Sequence, residues 1–409
     1  MGPNLKARLL RIRDTERIIP NPDKSQKNSS VFPETTDQKT YGKNDESWPG
    51  WIEVGFKTLK RELYAEPSFS LPEAFPESLA ILIPDFARMG HKLGGQRTGC
   101  VPSPNELLFF DLETSGLSGG AGTVAFLAAF GRFIPAEIAC SWRLMITQYL
   151  LLDYSGEADF VERITAEFAP KKITPGAQIL PPVVVSYNGK CFDSQILRNR
   201  CLMNGITPPD YFHADLLHPT RRLWKRTLPD CSQATIEISV LGLDRSGDVS
   251  GAMAPEIWFS FLKTGGNSDL LSVCDHNVRD IKGLASLFLC MEEIASDPFK
   301  SQKRFGFDIE ALALAWRKAI FKGSLKFDDE ESCRLCVKKG ELLLKAAAEK
   351  GCPGAAIAAA IDAEWKIKNP AMALKFTLAA LKNHEIPDTQ RLDLEKRRSR
   401  LEKKISNKK

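Results

Sequence analysis

The stretch LLFFDLE (107–113) decides the predicted fold of this chain. A short apolar run with a charged end is typical of a buried β-strand. Asp111 and Glu113 stand two residues apart, and successive side chains on a strand alternate between its faces. The pattern therefore predicts two carboxylates on one face at the end of a buried strand.

The segments that follow alternate between strand and helix patterns. Strands are predicted at 107–113, 123–133, 141–153, 181–189 and the start of 211–226, and helices at 157–169, 191–205, the rest of 211–226, and 268–296. This order predicts an α/β domain over 105–297, in which a mixed sheet is flanked by helices.

The two ends of the chain differ from this domain in composition. Residues 1–45 are polar and basic with few apolar side chains, so we expect a disordered segment. Residues 46–104 are predicted to be an irregular extension that packs on the core and includes one or two short helices. Residues 308–409 are predicted to be all helix, and alanines seven apart at Ala373 and Ala380 weakly resemble tetratricopeptide (TPR) packing. A helical cap on the domain is the alternative.

Composition narrows the class of protein without fixing its function. The net charge of +5 permits a polyanionic partner but does not require one. The ten cysteines are scattered at irregular spacings, which favours free thiols in a reducing compartment over a disulfide framework. The N-terminus has no apolar run of signal-peptide length, and no segment has the length of a membrane span, so we expect a cytoplasmic protein without a membrane partner.

Further acidic residues follow the first pair along the chain. Asp193 lies just after a predicted strand, in SYNGKCFD (186–193), and His276 and Asp280 are four apart on a predicted helix, so they share a face. Alone, such residues are typical of a solvated turn, a helix N-terminal charge or a surface ion pair. Converging carboxylates would repel one another, and divalent cations that prefer oxygen ligands relieve that repulsion.

FFDLETSGL (109–117), SYNGKCFD (186–193) and HNVRDI (276–281) resemble the three motifs of the DEDD exonuclease superfamily. The Gly-rich turn SGLSGGAG (115–122) and the strand after it resemble YprB-like RNase H-like domains more closely. The resemblance covers about 105–297. It implies a 3′–5′ exonuclease on single-stranded DNA or RNA that uses two divalent cations, Mg²⁺ or Mn²⁺. The implied metal ligands are Asp111, Glu113, Asp193 and Asp280.

His276 is the candidate general base, but its spacing departs from the family. In His-type members the histidine stands five residues before the last aspartate, a position that Asp275 occupies here. In Tyr-type members a tyrosine stands four residues before it, which is the position of His276. The position of His276 therefore matches the spacing of one type and the residue of the other.

The segment HPTRRLWKR (218–226) is rich in positive charge. Basic residues interleaved with an aromatic ring can contact phosphates and stack a base, which makes this segment a candidate for nucleic-acid binding. Asn188, in the motif SYNGKCFD, is a further candidate. The candidate residues of the segment are Arg221, Arg222, Trp224 and Lys225. An equally weighted alternative is a solvated helix with Trp224 in the core.

A rival functional class is a catalytically inactive module that binds nucleic acid or protein. In that case the RNase H-like fold and the helical tail would supply the binding surface. The C-terminal helices are a candidate surface for a protein partner in either class.

Overall fold

A seven-stranded mixed sheet forms the centre of the computed structural model. The structure describes residues 48–65, 70–93, 101–116, 122–135, 142–169, 181–327, 329–384 and 386–407. The strands are β1 (Ile52–Gly55), β2 (Thr58–Ala65), β3 (Leu107–Thr114), β4 (Ala125–Pro135), β5 (Trp142–Leu151), β6 (Val183–Ser186) and β7 (Phe212–Asp215). Their spatial order is β1-β2-β5-β4-β3-β6-β7. Strands β1 to β5 pair antiparallel, and β3, β6 and β7 pair parallel.

Helices flank the sheet and fill the C-terminal region. They are α1 (Leu79–Leu82), α2 (Pro84–Leu93), α3 (Glu157–Ala166), α4 (Asp193–Met203), α5 (Leu217–Trp224), α6 (Gln233–Ile236), α7 (Ala254–Thr264), α8 (Ser268–Ser296), α9 (Pro298–Phe305), α10 (Ile309–Lys322), α11 (Glu330–Glu349), α12 (Pro353–Trp365), α13 (Pro370–Leu381) and α14 (Asp388–Ser406). The predicted mixed sheet with flanking helices and a helical C-terminal region is confirmed. The N-terminal segment 1–45 and turn residues 117–121 lie outside the described ranges.

Strand β3 is apolar on both faces because an apolar core packs against each face of the sheet at this strand. Leu107 and Phe109 pack in the core that helix α8 covers. Leu108 and Phe110 pack in the core on the opposite face. The continuous apolar run in the sequence therefore reflects burial on both faces, as expected for a strand between a parallel and an antiparallel neighbour.

The expectation of an irregular extension over 46–104 is wrong for its first part. Strands β1 and β2 form a hairpin, and β2 pairs with β5 from Thr58 opposite Leu151 to Ala65 opposite Leu144. The strand TLKRELYA carries three charged residues in a row, and only its first two residues are buried. This composition hides the strand pattern in the sequence. Two short helices follow at 79–93, as expected.

Five helices, α10 to α14, make up the described part of the C-terminal region. Alanines are fully buried where α12 and α13 pack, for example Ala356, Ala363 and Ala373, and such small side chains allow helices to approach closely. The TPR resemblance stays a prediction. Among the described helices, none has both the length and the apolar character that crossing a lipid bilayer requires.

Gly131 marks a point where helix α8 lies very close to strand β4. A Cβ atom there would lie 2.7 Å from Cγ2 of Ile281 and 3.1 Å from Cβ of Phe109. We expect Gly131→Ala to lower the free energy of unfolding by about 1–3 kcal/mol, since overpacking forces the helix off the sheet. Urea denaturation measures this. Gly266→Ala is the matched control, because only Thr264 Oγ1, at 3.5 Å, lies near its Cβ. Equal stability of the two variants would contradict the close approach.

Candidate metal centre

Asp111 and Glu113 extend the row of β3 side chains that faces helix α8. Leu107 and Phe109 of this row are buried in the core beneath the helix. Since side chains two apart share a face, Asp111 and Glu113 continue the row beyond the apolar core, where both are partly buried. The strand thus places two carboxylates at the edge of the core, opposite the helix.

Helix α8 faces these two carboxylates with His276, Asn277 and Asp280. Nδ2 of Asn277 donates a hydrogen bond of 2.7 Å to Oδ2 of Asp111. Nε2 of His276 lies 3.3 Å from Oδ2 of Asp280 and 3.9 Å from Oε1 of Glu113. The strand and the helix therefore bring residues more than 160 positions apart in the sequence into one cluster.

A chain of hydrogen bonds holds Asn277 in place. Nε2 of the fully buried Gln148 donates to Oδ1 of Asn277 at 2.8 Å and to the carbonyl oxygen of Cys274 at 2.9 Å. Nε of Arg61, on strand β2, donates to Oε1 of Gln148 at 2.6 Å. Because the Asn277 carbonyl accepts from Gln148, its amide nitrogen must point to Asp111. The N-terminal hairpin thereby supports the cluster.

Asp193 begins helix α4, directly after the loop that follows strand β6. Its side chain is buried, with 5% exposed. The loop passes so close that a Cβ atom on Gly189 would lie 2.5 Å from Oγ of Ser186 and 2.9 Å from Oδ2 of Asp193. The glycine in SYNGKCFD is therefore required for Asp193 to take this position.

Asp215, at the end of β7, fixes this same loop. Its carboxylate accepts hydrogen bonds from the backbone N–H groups of Asn188, Lys190 and Leu217, at 2.9, 3.1 and 3.0 Å. Asn188 itself has a left-handed backbone with φ of 64° and an exposed side chain. These bonds occupy Asp215 with backbone groups, which agrees with a supporting role rather than metal ligation.

Burial and neighbouring negative charges oppose the ionisation of Asp111, Glu113 and Asp193. Burial raises the pKa of Asp111 well above its usual value, and the charges of Asp280, Asp193 and Glu113 raise it further. Burial, then Asp280 and Asp193, raise the pKa of Glu113 in the same way. Burial and the charge of Asp215 raise the pKa of Asp193 to about 8. The protein therefore gathers carboxylates that resist ionising together.

The donor atoms in this cluster fit a hard divalent cation. Glu113, His276 and Asp280 each offer a ligand atom, and these atoms lie within 4.8 Å of one another. Asp111 interacts electrostatically with Glu113 and Asp280, and Asp193 interacts with Asp111 and Glu113. Carboxylate oxygens are the ligands that Mg²⁺ and Mn²⁺ prefer, and a bound cation would relieve the repulsion.

Arg245 and Glu237 border the cluster, and neither was identified from the sequence. Arg245 donates hydrogen bonds to the carboxylates of Asp280 and Glu237. Glu237 reaches this position because residue 283 of helix α8 is glycine, where a Cβ atom would lie 1.6 Å from Oε1 of Glu237. Arg245 thus adds one fixed positive charge beside Asp280.

Comparison with known proteins identifies the fold of the segment that contains this cluster. Residues 108–291 match the family model RNase_H_2 of the RNase H superfamily. This segment is an RNase H-like domain. The RNase H-like domain contains strands β3 to β7, helix α8 up to residue 291, and all the residues of the acidic cluster. It is a nuclease-type fold.

The chain is also similar to the uncharacterized protein YprB of Bacillus subtilis (strain 168). The two are 35% identical over 192 residues, which is 46% of this chain and 42% of YprB. The chain therefore matches less than half of that relative. The family B DNA polymerase from the hyperthermophilic archaeon Pyrobaculum calidifontis aligns with 51% of this chain and 28% of its own, at 12% identity and a TM-score of 0.32.

The basic helix α5 of the RNase H-like domain exposes only part of its positive charge. Arg221 and Lys225 are exposed and remain predicted contacts for nucleic acid. Trp224 is wrong as a stacking residue, because it is 1% exposed and its Nε1 donates to the carbonyl oxygen of Phe305 at 2.9 Å. Arg222 is partly buried and donates to the carbonyl oxygen of Ile81 at 3.0 Å, so it holds helix α1.

The supporting residues left different signals in the sequence. Asn277 stands within the motif DHNVRDI, next to His276, so its neighbourhood could have identified it. Arg245 and Asp248 lie in the glycine-rich loop GLDRSGD (242–248), which predicts a turn but not its neighbour in space. Gln148 lies within an apolar strand, where a buried amide requires a polar partner.

The raised pKa values predict how the metal-free protein responds to pH. Above the ordinary carboxyl range of about 4 and below about 8, folded Asp193 holds a proton that the unfolded chain has lost. Stability is therefore full below this window and falls as the pH rises through it, because the native state binds more protons. Chemical denaturation in a chelator at pH 5 and pH 8 should show this fall in the wild type.

Asp193→Asn should flatten that pH dependence and be the more stable protein at pH 8, since the amide carries no charge. Asp210→Asn, on an exposed carboxylate outside the cluster, is the control and should follow the wild type. A wild-type protein more stable at pH 8 than at pH 5, with the same slope in Asp193→Asn, would contradict the electrostatic account of the cluster.

Proposed function

We propose that the RNase H-like domain is a metal-dependent nuclease that hydrolyses phosphodiester bonds, and specifically a 3′–5′ exonuclease on single-stranded DNA or RNA. The observation that carries the proposal is the convergence of four carboxylates from three elements. Asp111 and Glu113 come from β3, Asp193 from α4 and Asp280 from α8, and the ionised forms disfavour one another. No cation among the described residues neutralises the whole cluster, since Arg245 reaches only Asp280 of the four.

The four carboxylates are the proposed ligands of two divalent cations, Mg²⁺ or Mn²⁺. When bound, two such ions activate a water molecule and stabilise the leaving oxygen of the phosphodiester. Asn277 fixes the orientation of the Asp111 carboxylate through its hydrogen bond, so this ligand is oriented before a metal binds. Residues that orient ligands in this way contribute substantially to metal affinity.

His276 is the proposed group that accepts or positions the proton of the attacking water. Its Nε2 faces Glu113 and Asp280, at 3.9 and 3.3 Å, so the ring lies at the cluster despite its four-residue spacing from Asp280. The same atom is also within reach of a cation held by these two carboxylates. Both uses need an Nε2 lone pair.

The proposed partners follow from the exposed positive charge and from the tail. Arg221, Lys225 and the side chain of Asn188 are the proposed contacts with the nucleic-acid backbone. The C-terminal helices are the proposed surface for a protein partner. The thiols of the described cysteines form no disulfide, which agrees with the proposed cytoplasmic location.

The decisive experiment for this proposal incubates the purified protein with 3′-labelled and 5′-labelled oligomers. Single-stranded DNA and RNA are tested in parallel, with Mn²⁺, with Mg²⁺ and with a chelator. Release of labelled mononucleotides from the 3′ end, only with metal, is expected. A catalytically inactive binding module would retain the oligomers without cutting them, and that result would replace the nuclease proposal.

Asp111→Asn and Asp193→Asn should each abolish this cleavage and leave the fold intact. Each substitution removes an anionic ligand while it keeps the volume of the side chain, so metal binding is lost without a cavity. Cleavage rates in Mn²⁺ and circular dichroism measure the two effects. Asp210→Asn, on an exposed carboxylate outside the cluster, is the control and should cut like the wild type. Wild-type cleavage rates in both cluster variants would contradict the assignment of these residues as metal ligands.

Neutralising Arg221 and Lys225 together should weaken nucleic-acid binding more than it slows a saturated reaction. A variant with fewer phosphate contacts releases fewer counterions when it binds, so the salt dependence of its affinity is shallower. Dissociation constants at two salt concentrations measure the slope. The control neutralises Arg334 and Lys338, which are equally exposed on helix α11. An unchanged slope in the Arg221/Lys225 variant would mean that helix α5 faces away from the substrate.

A further inference from the structure

A loop outside the three sequence motifs buries a carboxylate against the candidate base. It runs from Gly242 to Ser250, after a π-helical turn at Glu237–Leu241, and carries Arg245 and Asp248. The side chains of both residues are only 8% exposed. Oδ2 of Asp248 lies 2.9 Å from Nδ1 of His276, on the side of the ring away from Glu113 and Asp280.

Two arginines hold Asp248 as an ionised hydrogen-bond acceptor. Nη1 of Arg245 donates to Oδ2 of Asp248 at 2.6 Å, and Nη1 of Arg279 donates to Oδ1 at 2.9 Å. An ionised carboxylate only accepts hydrogen bonds, so Nδ1 of His276 is the donor in the 2.9 Å contact with Asp248. Nη1 of Arg245, which is itself a donor, lies farther from Nδ1, at 3.5 Å.

The opposite nitrogen of the same ring, Nε2, is bordered by Gly251. Residue 251 is glycine, and a Cβ atom on it would lie 3.1 Å from Nε2 of His276. Any larger residue would therefore crowd the one ring atom that faces Glu113 and Asp280. The backbone of Gly251 is not in the left-handed region, so its conformation does not require glycine. What the glycine provides is the absence of a side chain beside Nε2.

We propose that Asp248 is a positioning residue that fixes neutral His276 as the Nδ1–H tautomer, and that Gly251 keeps the Nε2 lone pair accessible to the acidic cluster. The use of that lone pair, as a base or as a metal ligand, rests on the proposed nuclease function. The tautomer itself does not, because it follows from the contacts of Asp248 and can be measured without metal.

A simpler role for Asp248 is anchoring of the loop through its two arginines. Two variants separate the roles. Arg279→Gln removes one anchor and leaves the bond to His276, whereas Asp248→Asn offers His276 an amide that can donate as well as accept. In a serine protease triad, the same change from Asp to Asn gives the wrong histidine tautomer.

The test is nitrogen NMR of the full chain labelled with ¹⁵N-histidine, in chelator, at a pH where the ring is neutral. His276→Gln identifies the signal among the five histidines of the chain. We expect a protonated Nδ1 and an unprotonated Nε2 in the wild type and in Arg279→Gln. Asp248→Asn should shift the signal toward the Nε2–H form, and Asp248→Glu should restore the wild-type tautomer.

A wild-type spectrum with the proton on Nε2 overturns the proposal, even where Asp248→Asn fails to fold. So does an Asp248→Asn protein with an unchanged tautomer. If Arg279→Gln changes the tautomer as much as Asp248→Asn does, then Asp248 acts only as an anchor, and the positioning role is likewise overturned.

Activity provides a second measurement. Asp248→Asn should lower kcat in Mn²⁺ by roughly 10- to 100-fold with little change in KM, the usual effect of losing the group that orients a site residue. Gly251→Ala should lower kcat while the tautomer stays as in the wild type, because it blocks Nε2 without touching Asp248. Wild-type kcat in Gly251→Ala would overturn the access role. A protein that cuts nothing but shows the expected tautomers would refute the nuclease proposal alone.

Discussion

Repulsion among carboxylates that the fold forces together is the constraint on which this structure depends. Asp111, Glu113, Asp193 and Asp280 lie at one end of the core, where burial and neighbouring carboxylate charges oppose the ionisation of Asp111, Glu113 and Asp193. Such an arrangement costs free energy unless cations or protons offset it. The sheet and helix α8 hold it nonetheless, because their apolar contacts lie directly beneath, in the row of Leu107 and Phe109.

The polar residues around the cluster orient it without neutralising it. On one side, Arg61, Gln148 and Asn277 pass a chain of hydrogen bonds from the edge hairpin to Asp111. On the other, Arg245 and Asp248 bring a loop against Asp280 and His276. Each of these side chains meets a defined partner, so the carboxylates keep fixed positions, and Arg245 contacts only Asp280 of the four. A preset, negatively charged pocket of this kind is suited to divalent cations.

The sequence predicted the centre of the fold better than its margins. Strand β3 and helix α8 carry long, clear apolar patterns, so the mixed sheet could be predicted. The candidate ligands were named by the resemblance of three short motifs to the DEDD superfamily. The hairpin was missed because TLKRELYA has no clear alternation and owes its strand to pairing with β5. Trp224 and the loop around Asp248 depend on which distant element lies next to them, and no local pattern records that.

Anomalous X-ray diffraction from crystals soaked in Mn²⁺ tests directly whether the acidic cluster binds metal. Mn²⁺ is expected among the carboxylates of Asp111, Glu113, Asp193 and Asp280, and no such signal is expected in crystals of Asp111→Asn soaked in the same way. Crystals of the wild type that bind Mn²⁺ only elsewhere, or that leave these four carboxylates without metal at millimolar Mn²⁺, would contradict this expectation.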